Sequence, residues 1–566
     1  MKAVKNTIAK ALVQPTGLTE ADLVQMLEYP PNPQLGDLAL PCFKLAKSLR
    51  KNPVQIAEDL ASILQQLPEV DAVNPTGGFL NISLNRSIFA QDIIQSALTD
   101  THRLFSADRG KGLKAAVDYS SPNIAKPFSV GHLRSTIIGE SIVRLMREDG
   151  YEVVGVNHLG DWGTQFGKII AAYLHWGDED AVRANPVREL LKLYVRFHDE
   201  AKTNPELEDE GRHWFKELEE GNEKAVHLWQ WFIDESLKAF KETYDLLGVQ
   251  FDHYLGESFY NDKMEPVVQE LRDKGLLVKD EGAEVVDLSA YDMPPAIIKK
   301  SDGTSIYATR DLAAADYRHR NLGADKLVYV VGGEQRLHFQ QLFKVLELMG
   351  RSYANNCTHV AFGFMSYNGE RLSTRRGHIV YLEDVLKRAI DEAQQIIDEK
   401  NPTLPNKEEV ARSVGVGAVV FNDLKTYRVH DVDFRYEDVL NFDGETGPYV
   451  QYTHARACSV LRKANKSEGE ISFVDSGSMS ETEWGLVFQL GQANEALTRA
   501  VDEYDPSVMA RYILQVCHAF NRFYHHNPIL QAEADRRDQR LALTLATRKV
   551  LAKALFLIGL DAPTEM

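Results

Sequence analysis

Cysteine is scarce. The 566 residues hold four, Cys42, Cys357, Cys458 and Cys517, far apart and with no CxxC pair. That pattern points to buried thiols rather than a zinc site or a disulfide framework. No unbroken apolar stretch is long enough to span a bilayer. The opening string MKAVKNTIAKALVQP lacks the long apolar core of a secretory signal, so the cytoplasm is the expected location. Positive charge is also in short supply: 64 Lys and Arg stand against 82 Asp and Glu, a formal net charge of −18. Phosphate neutralisation supplies much of the affinity for nucleic acid, so such a chain binds RNA only where its cations gather on one face. With 44% hydrophobic and 26% charged residues, the composition is that of a globular protein. The length calls for three or four domains.

The chain is most informative at Ser120–Thr136, SSPNIAKPFSVGHLRST. A short apolar run, Leu113–Val117, reads as a strand before it. After it, Leu133, Ile137, Ile138, Ile142, Leu145 and Met146 recur mostly at helical spacing, and Gly150 suits a left-handed helix cap. Pro122 to Gly131 is therefore a strand-to-helix turn, the place where parallel α/β sheets bind nucleotides. Helix N-termini favour phosphate. Gly131 admits a ligand closely, His132 is a donor beside it, and Lys126 adds positive charge. Taken as two letters, the Gly-His pair is an ordinary surface turn. The whole string is more specific. It resembles the HIGH signature of class I aminoacyl-tRNA synthetases, in the form carried by the arginyl family, with Ser129 in place of the first His.

That resemblance runs along the whole chain in order. Residues 1–110 read as an α+β domain, with helical patterns at Val4–Val13 and Val54–Gln66, the turn YPPNPQLGDLALP and a strand in GGFLNISL. The resemblance implies that this domain touches the tRNA D-loop, with Phe79 and Asn81 as contacts; the residues alone allow Phe79 to be a core side chain. Asp92–Arg109 reads as a polar helix leading into a catalytic domain over 111–365. Tyr151–Asn157 is a second β run, so strand, helix and strand make a βαβ unit and a Rossmann-like parallel sheet is expected. The loop HLGDWGTQFG closes it, either facing a ligand or turning a corner around Trp162. Residues 173–250 read as a charged helical insertion in which Trp214, Phe215, Trp229, Trp231 and Phe232 pack. Residues 366–407 connect, and 408–566 read as an α-helical bundle almost throughout. The fold expected is thus a multidomain α/β protein: an N-terminal α+β domain, a Rossmann-like catalytic domain with a helical insertion, and a C-terminal α-helical bundle.

The chemistry follows the same resemblance. Lys126, Ser129, Gly131 and His132 would hold ATP, together with Arg371, Ser373, Thr374 and Arg375 of GERLSTRRG, which resembles the KMSKS loop without its lysines. Lys126, His132 and Arg375 are the implied catalytic groups. A guanidinium presents several N–H donors in a rigid plane, and carboxylates placed for paired bonds are its natural reader. The resemblance assigns that task to Asp118, Asn123, Tyr307, Asp311 and Gln335, with Ser120 a weaker case. Tyr307 and Asp311 are four apart, on one helical face. In the bundle, Tyr449, Tyr452, Arg456 and Tyr512 match positions that meet the anticodon loop, whose unstacked bases pack on aromatic and Arg planes; Met566 would reach the same tRNA. ATP would arrive with Mg²⁺ as a substrate complex, without a protein metal site. The implied reaction joins arginine to its tRNA through an adenylate in a monomeric enzyme. Two alternatives stand: another HIGH-containing nucleotidyltransferase, or a non-catalytic paralogue that binds RNA or arginine.

Overall fold

The computed structural model describes residues 1–106, 108–124, 126, 128–301, 307–371, 380–441 and 444–566, the Arg371 side chain excepted. In the N-terminal part, a three-stranded antiparallel sheet has Phe79–Leu84 in its middle, between Leu38–Pro41 and Val70–Thr76. The hairpin turns at Gly77–Gly78, both at positive φ, the conformation that a two-residue turn between twisted strands requires. Leu80, Ile82 and Leu84 point inward. The helix Pro53–Leu64 packs across them, started by the Asn52 side chain and a first-turn proline.

Five parallel strands form the centre. Their order in space is Cys357–Phe362, Lys326–Gly332, Lys114–Asp118, Glu152–Asn157, His253–Tyr254. The chain winds outward from Lys114–Asp118 in one direction and returns to build the other side. The switch point, where ligands settle in such sheets, lies between Lys114–Asp118 and Lys326–Gly332. The connecting helix, Val130–Glu148, buries 15 of its 19 residues, so it is covered on nearly every side rather than along one stripe. One covering layer is the C-terminal bundle. Arg134, 1% exposed, donates to the carbonyls of Gly363 (2.7 Å) and His430 (2.8 Å) and pairs with Asp423 at 3.0 Å.

The helices between Glu152–Asn157 and His253–Tyr254 run from Thr164 to Leu247, where Gly248 caps the last of them. A second core lies under a small antiparallel sheet, Leu277–Asp280, Ala283–Val286 and Ala296–Lys299. The sequence reading passes over this sheet because its strands are four residues long and the first is mostly exposed.

One expectation is corrected here. The segment read as a polar helix over Asp92–Arg109 is two helices, Arg86–Thr99 and Thr101–Phe105. The first starts at Asn85, whose side chain accepts from Ile88 N, and its Phe89 packs edge-on against Trp484 at 5.5 Å. The C-terminal region is helical almost throughout, as expected, with one short strand, Val432–Phe434, paired in parallel with Met365–Tyr367. Among the described residues no helix is long and apolar enough to cross a membrane.

Candidate active site and RNA-facing surface

At the end of the Lys114–Asp118 strand the chain makes a strained turn. Ser120 and Ser121 have φ of 69° and 46°, a region that non-glycine residues seldom occupy. The hydrogen bonds that hold it come from the next helix and from the helix Glu223–Leu247: Ser120 N donates to Ser135 Oγ at 2.9 Å, and the Ser120 hydroxyl meets Thr136 Oγ1 and Tyr244 OH, both at 2.8 Å. Ser120 is therefore a buried brace, which corrects its reading as a ligand contact. The following residues pair with the HLGDWG loop. Ile124 N donates to Gly160 O and Gly160 N to Pro122 O, each at 3.0 Å. A Cβ on Gly160 would lie 2.3 Å from Asn123 Oδ1, so the approach demands glycine. Trp162 in the same loop is packed edge-on against Phe215 and Trp229, and Asp161 takes the Ser258 N–H and hydroxyl at 2.8 and 2.7 Å.

Ser129 starts the Val130–Glu148 helix. Its N–H donates to His132 Nδ1 at 3.2 Å, and its hydroxyl lies 3.2 Å from the same nitrogen. Because Nδ1 accepts, the ring proton sits on Nε2. Burial, and then the charge of Lys126, lower the imidazole to about 4, so the ring is neutral at pH 7. A Cβ on Gly131 would meet only Ser129 Oγ at 3.5 Å; the protein's own packing does not require glycine there. Val130 N donates to Val380 O and Leu382 N to Phe128 O, each at 3.0 Å. The chain emerging from the GERLSTRRG loop is thus fastened to the histidine turn. Within that loop the Arg371 side chain, Ser373, Thr374 and Arg375 lie outside the described residues.

Across the switch point stand the carboxylates. Asp311, on the helix Tyr307–Arg320, accepts from His338 Nε2 at 2.6 Å, with His158 Nε2 4.0 Å away. Burial works against its charge, but the His338 hydrogen bond and the nearby histidines and Arg318 win and hold the carboxyl below its ordinary value. Tyr307, 69% exposed, and Gln335, exposed at the start of the Arg336–Leu348 helix, stand at the rim. Asp118 is different. Its Oδ2 accepts from Arg318 Nη2 at 2.8 Å and its Oδ1 from Ser121 Oγ at 2.9 Å, so the carboxylate that the resemblance assigns to arginine is already paired inside the chain. Glu257 is a residue that the sequence reading missed. Burial pushes its carboxyl up to about 7, against the pull of Arg310, which lies 3.5 Å away. Its string, LGESFY, carries no sequence signal that sets it apart.

A second group of predicted residues gathers on the bundle. The Arg456 guanidinium lies 4.9 Å from the Tyr452 ring centre and 5.4 Å from that of Tyr524, and it also bonds Asn521, which donates to Tyr449 OH. Tyr452, Arg456, Arg462, Lys463, Tyr524 and Met566 line a cleft of about 700 Å³, where cations collect on an otherwise acidic protein. Tyr512 does not join them. It is 2% exposed and its hydroxyl donates to Leu490 O at 3.2 Å, so it is a core residue and not an RNA contact. In the N-terminal sheet Phe79 is exposed, edge-on to Phe43 at 5.3 Å. Asn81 is 5% exposed, enclosed between two flanking strands, which corrects its reading as a surface contact.

A doubly wound parallel sheet, a Gly-His helix start at its switch point and a helical bundle seated on that helix define a class I aminoacyl-tRNA synthetase. Three known families match the chain: "tRNA synthetases class I (R), catalytic domain" over residues 93–436, "DALR anticodon binding domain" over 450–566 and "Arginyl tRNA synthetase N terminal domain" over 2–84. Arginine–tRNA ligase of an Exiguobacterium species is 50% identical over 562 residues, covering 99% of both chains. That of Alkaliphilus metalliredigens is 46% identical over the full length of both. The solved arginyl-tRNA synthetase of Thermus thermophilus superposes over both whole chains with a TM-score of 0.84 at 27% identity. The chain belongs to the arginyl-tRNA synthetase family, the arginine–tRNA ligases.

Proposed function

We propose that this chain joins arginine to its tRNA at the switch point described above, in two steps. The arginine carboxylate attacks the α-phosphorus of ATP, the bond to the bridging oxygen breaks, and pyrophosphate leaves. The 2′-hydroxyl of the terminal tRNA adenosine then attacks the adenylate carbonyl, losing its proton, and AMP departs. Neither step needs a side-chain nucleophile, because positioning and charge stabilisation suffice. One observation carries the reading: His132 opens the helix Val130–Glu148 with its Nδ1 held by the Ser129 N–H, so that its ring proton is on Nε2, in the turn that follows the switch-point strand Lys114–Asp118.

In this reading Lys126, Ser129, Gly131 and His132 bind the nucleotide, and Arg371, Ser373, Thr374 and Arg375 close over its phosphates, with Arg375 sharing the charge. Mg²⁺ arrives with ATP. Asp311, Asn123, Tyr307 and Gln335 hold arginine. Phe79, Tyr449, Tyr452, Arg456 and Met566 meet the tRNA. We divide the chain into a D-loop-contacting domain (1–110), the catalytic domain (111–365) with its insertion (173–250), a connecting segment (366–407) and an anticodon-binding bundle (408–566). The enzyme acts as a monomer in the cytoplasm.

Arginine-dependent ATP–pyrophosphate exchange, with and without tRNA for arginine, tests the proposal. Exchange in either setting supports it, and arginine binding without exchange in both overturns it in favour of a non-catalytic paralogue. Two variants separate the parts. Gly131→Ala is expected to leave the melting temperature unchanged and raise KM for ATP roughly tenfold, a penalty of about 1.4 kcal/mol, because the added methyl projects into ligand space. Tyr452→Ala removes a stacking face worth about 1–3 kcal/mol. It is expected to raise KM for tRNA at least about fivefold while that for ATP stays put, as read by aminoacylation kinetics.

A further inference from the structure

We propose that Arg318 is a positioning and specificity-determining residue: by neutralising Asp118 it leaves Asp311 as the uncompensated carboxylate of the side-chain pocket, and so sets that pocket for a singly charged, planar cation. The proposal rests on the arginine-site reading above. Asp311 and Arg318 lie seven residues apart on one helix, two turns along the same face. Arg318 is 2% and Asp118 7% exposed, and their contact is 2.8 Å. The Tyr329 ring centre is 5.3 Å from the guanidinium carbon. The other Asp118 oxygen accepts from the Ser121 hydroxyl, so the pair is neutral and fixed at both ends. The partner of Asp311 is different in kind. His338 donates one N–H and an imidazole ring need carry no charge to do so. Within this trio the Asp118 and Arg318 charges cancel, and Asp311, the less buried of the two acids, keeps its own.

An arginine side chain cancels that charge. A ureido group of the same shape leaves Asp311 unpaired, and a buried unpaired charge is costly. Without Arg318 the pocket carries two negative charges, and Asp118 loses the contact that aims its free lone pairs. Without Asp118 the pocket holds an uncompensated guanidinium, which repels the substrate's own.

The test compares Asp118→Asn, Arg318→Met and the double variant with the unaltered protein by exchange kinetics for arginine and ATP, with citrulline as the uncharged probe. The expected order is specific. Each single variant raises KM for arginine at least about tenfold, with Asp118→Asn the worse. The double variant, which removes both charges at once, recovers most of that loss, a coupling characteristic of residues in direct contact. KM for ATP stays within about twofold throughout. Equal rises for arginine and ATP, or a double variant no better than Asp118→Asn, overturn the proposal. If a single variant does not fold, Arg318→Lys is read instead: it keeps the charge that neutralises Asp118 and loses only the planar donor set, so an arginine KM within about threefold of the unaltered protein's supports the proposal and a rise of about tenfold or more overturns it. Failure of the unaltered protein to exchange with arginine would sink the arginine-site reading itself, a result distinct from normal exchange that is indifferent to Arg318.

Discussion

Asp311→Asn is expected to lower kcat/KM for arginine in the exchange reaction by about 10²- to 10³-fold, with KM for ATP nearly unchanged. The magnitude is that of removing one member of a desolvated ion pair, roughly 3–5 kcal/mol. Asp311 accepts from His338 through one oxygen, and its side chain is 24% exposed, so the carboxylate remains reachable. Asparagine preserves the shape and can still accept from His338. It then turns its amide N–H₂ toward the substrate, so an acceptor becomes a donor facing the donors of a guanidinium. Discrimination against citrulline should fall as well. A site built around a charge-assisted acceptor rejects analogues that leave it unpaired by as much as about 10⁴-fold, and the amide has no charge to leave unpaired. Steady-state kinetics with both amino acids checks the two statements together. An equal loss for ATP would mean that the substitution had disturbed the sheet rather than the pocket.

The histidine turn was legible because its chemistry is contiguous: strand, turn, glycine, histidine and amphipathic helix follow one another within about three dozen residues, and local rules govern each. Ser129 fits the same logic. Serine is a favoured residue at a helix start, and its hydroxyl lies 3.2 Å from His132 Nδ1. What the sequence withheld depends on what packs opposite. Asp118 reads as a free acceptor until Arg318, two hundred residues away, is placed against it. Asn81 shares a strand face with the exposed Phe79, and only the position of that strand in the middle of its sheet encloses it. Tyr512 and Tyr452 both lie on helices of polar and aromatic composition, and only packing decides that one faces Leu490 and the other the open cleft. Glu257 escaped because its burial and its Arg310 neighbour come from segments distant in sequence.

His132→Ala is expected to reduce kcat for exchange by about 10²- to 10³-fold, the usual loss on removing one donor aimed at developing negative charge. KM for ATP should change far less, because the charge that the ring stabilises grows during the attack. His132→Gln, which keeps an N–H donor at similar reach, should recover part of the loss. The pH dependence separates this role from that of a cation. A protonated histidine would lose its effect as the pH rises through its ordinary value of 6.5. In this fold burial, and then Lys126, hold the ring at about 4, so it is the neutral N–H that acts, and no fall in rate should be seen between pH 6 and 8 that His132→Gln abolishes. The same depression makes a stability statement. The unfolded chain takes up this proton at higher pH than the folded one. The contribution of the neutral ring is therefore complete above about 6.5 and is lost as the pH falls toward 4, a change of about 3 kcal/mol. Denaturant melts at pH 7.5 and 4.5 should show that loss in the unaltered protein and less of it in His132→Gln. A variant that loses stability to acid as steeply as its parent would mean that the imidazole is charged in the fold, and the donor role would have to be assigned elsewhere.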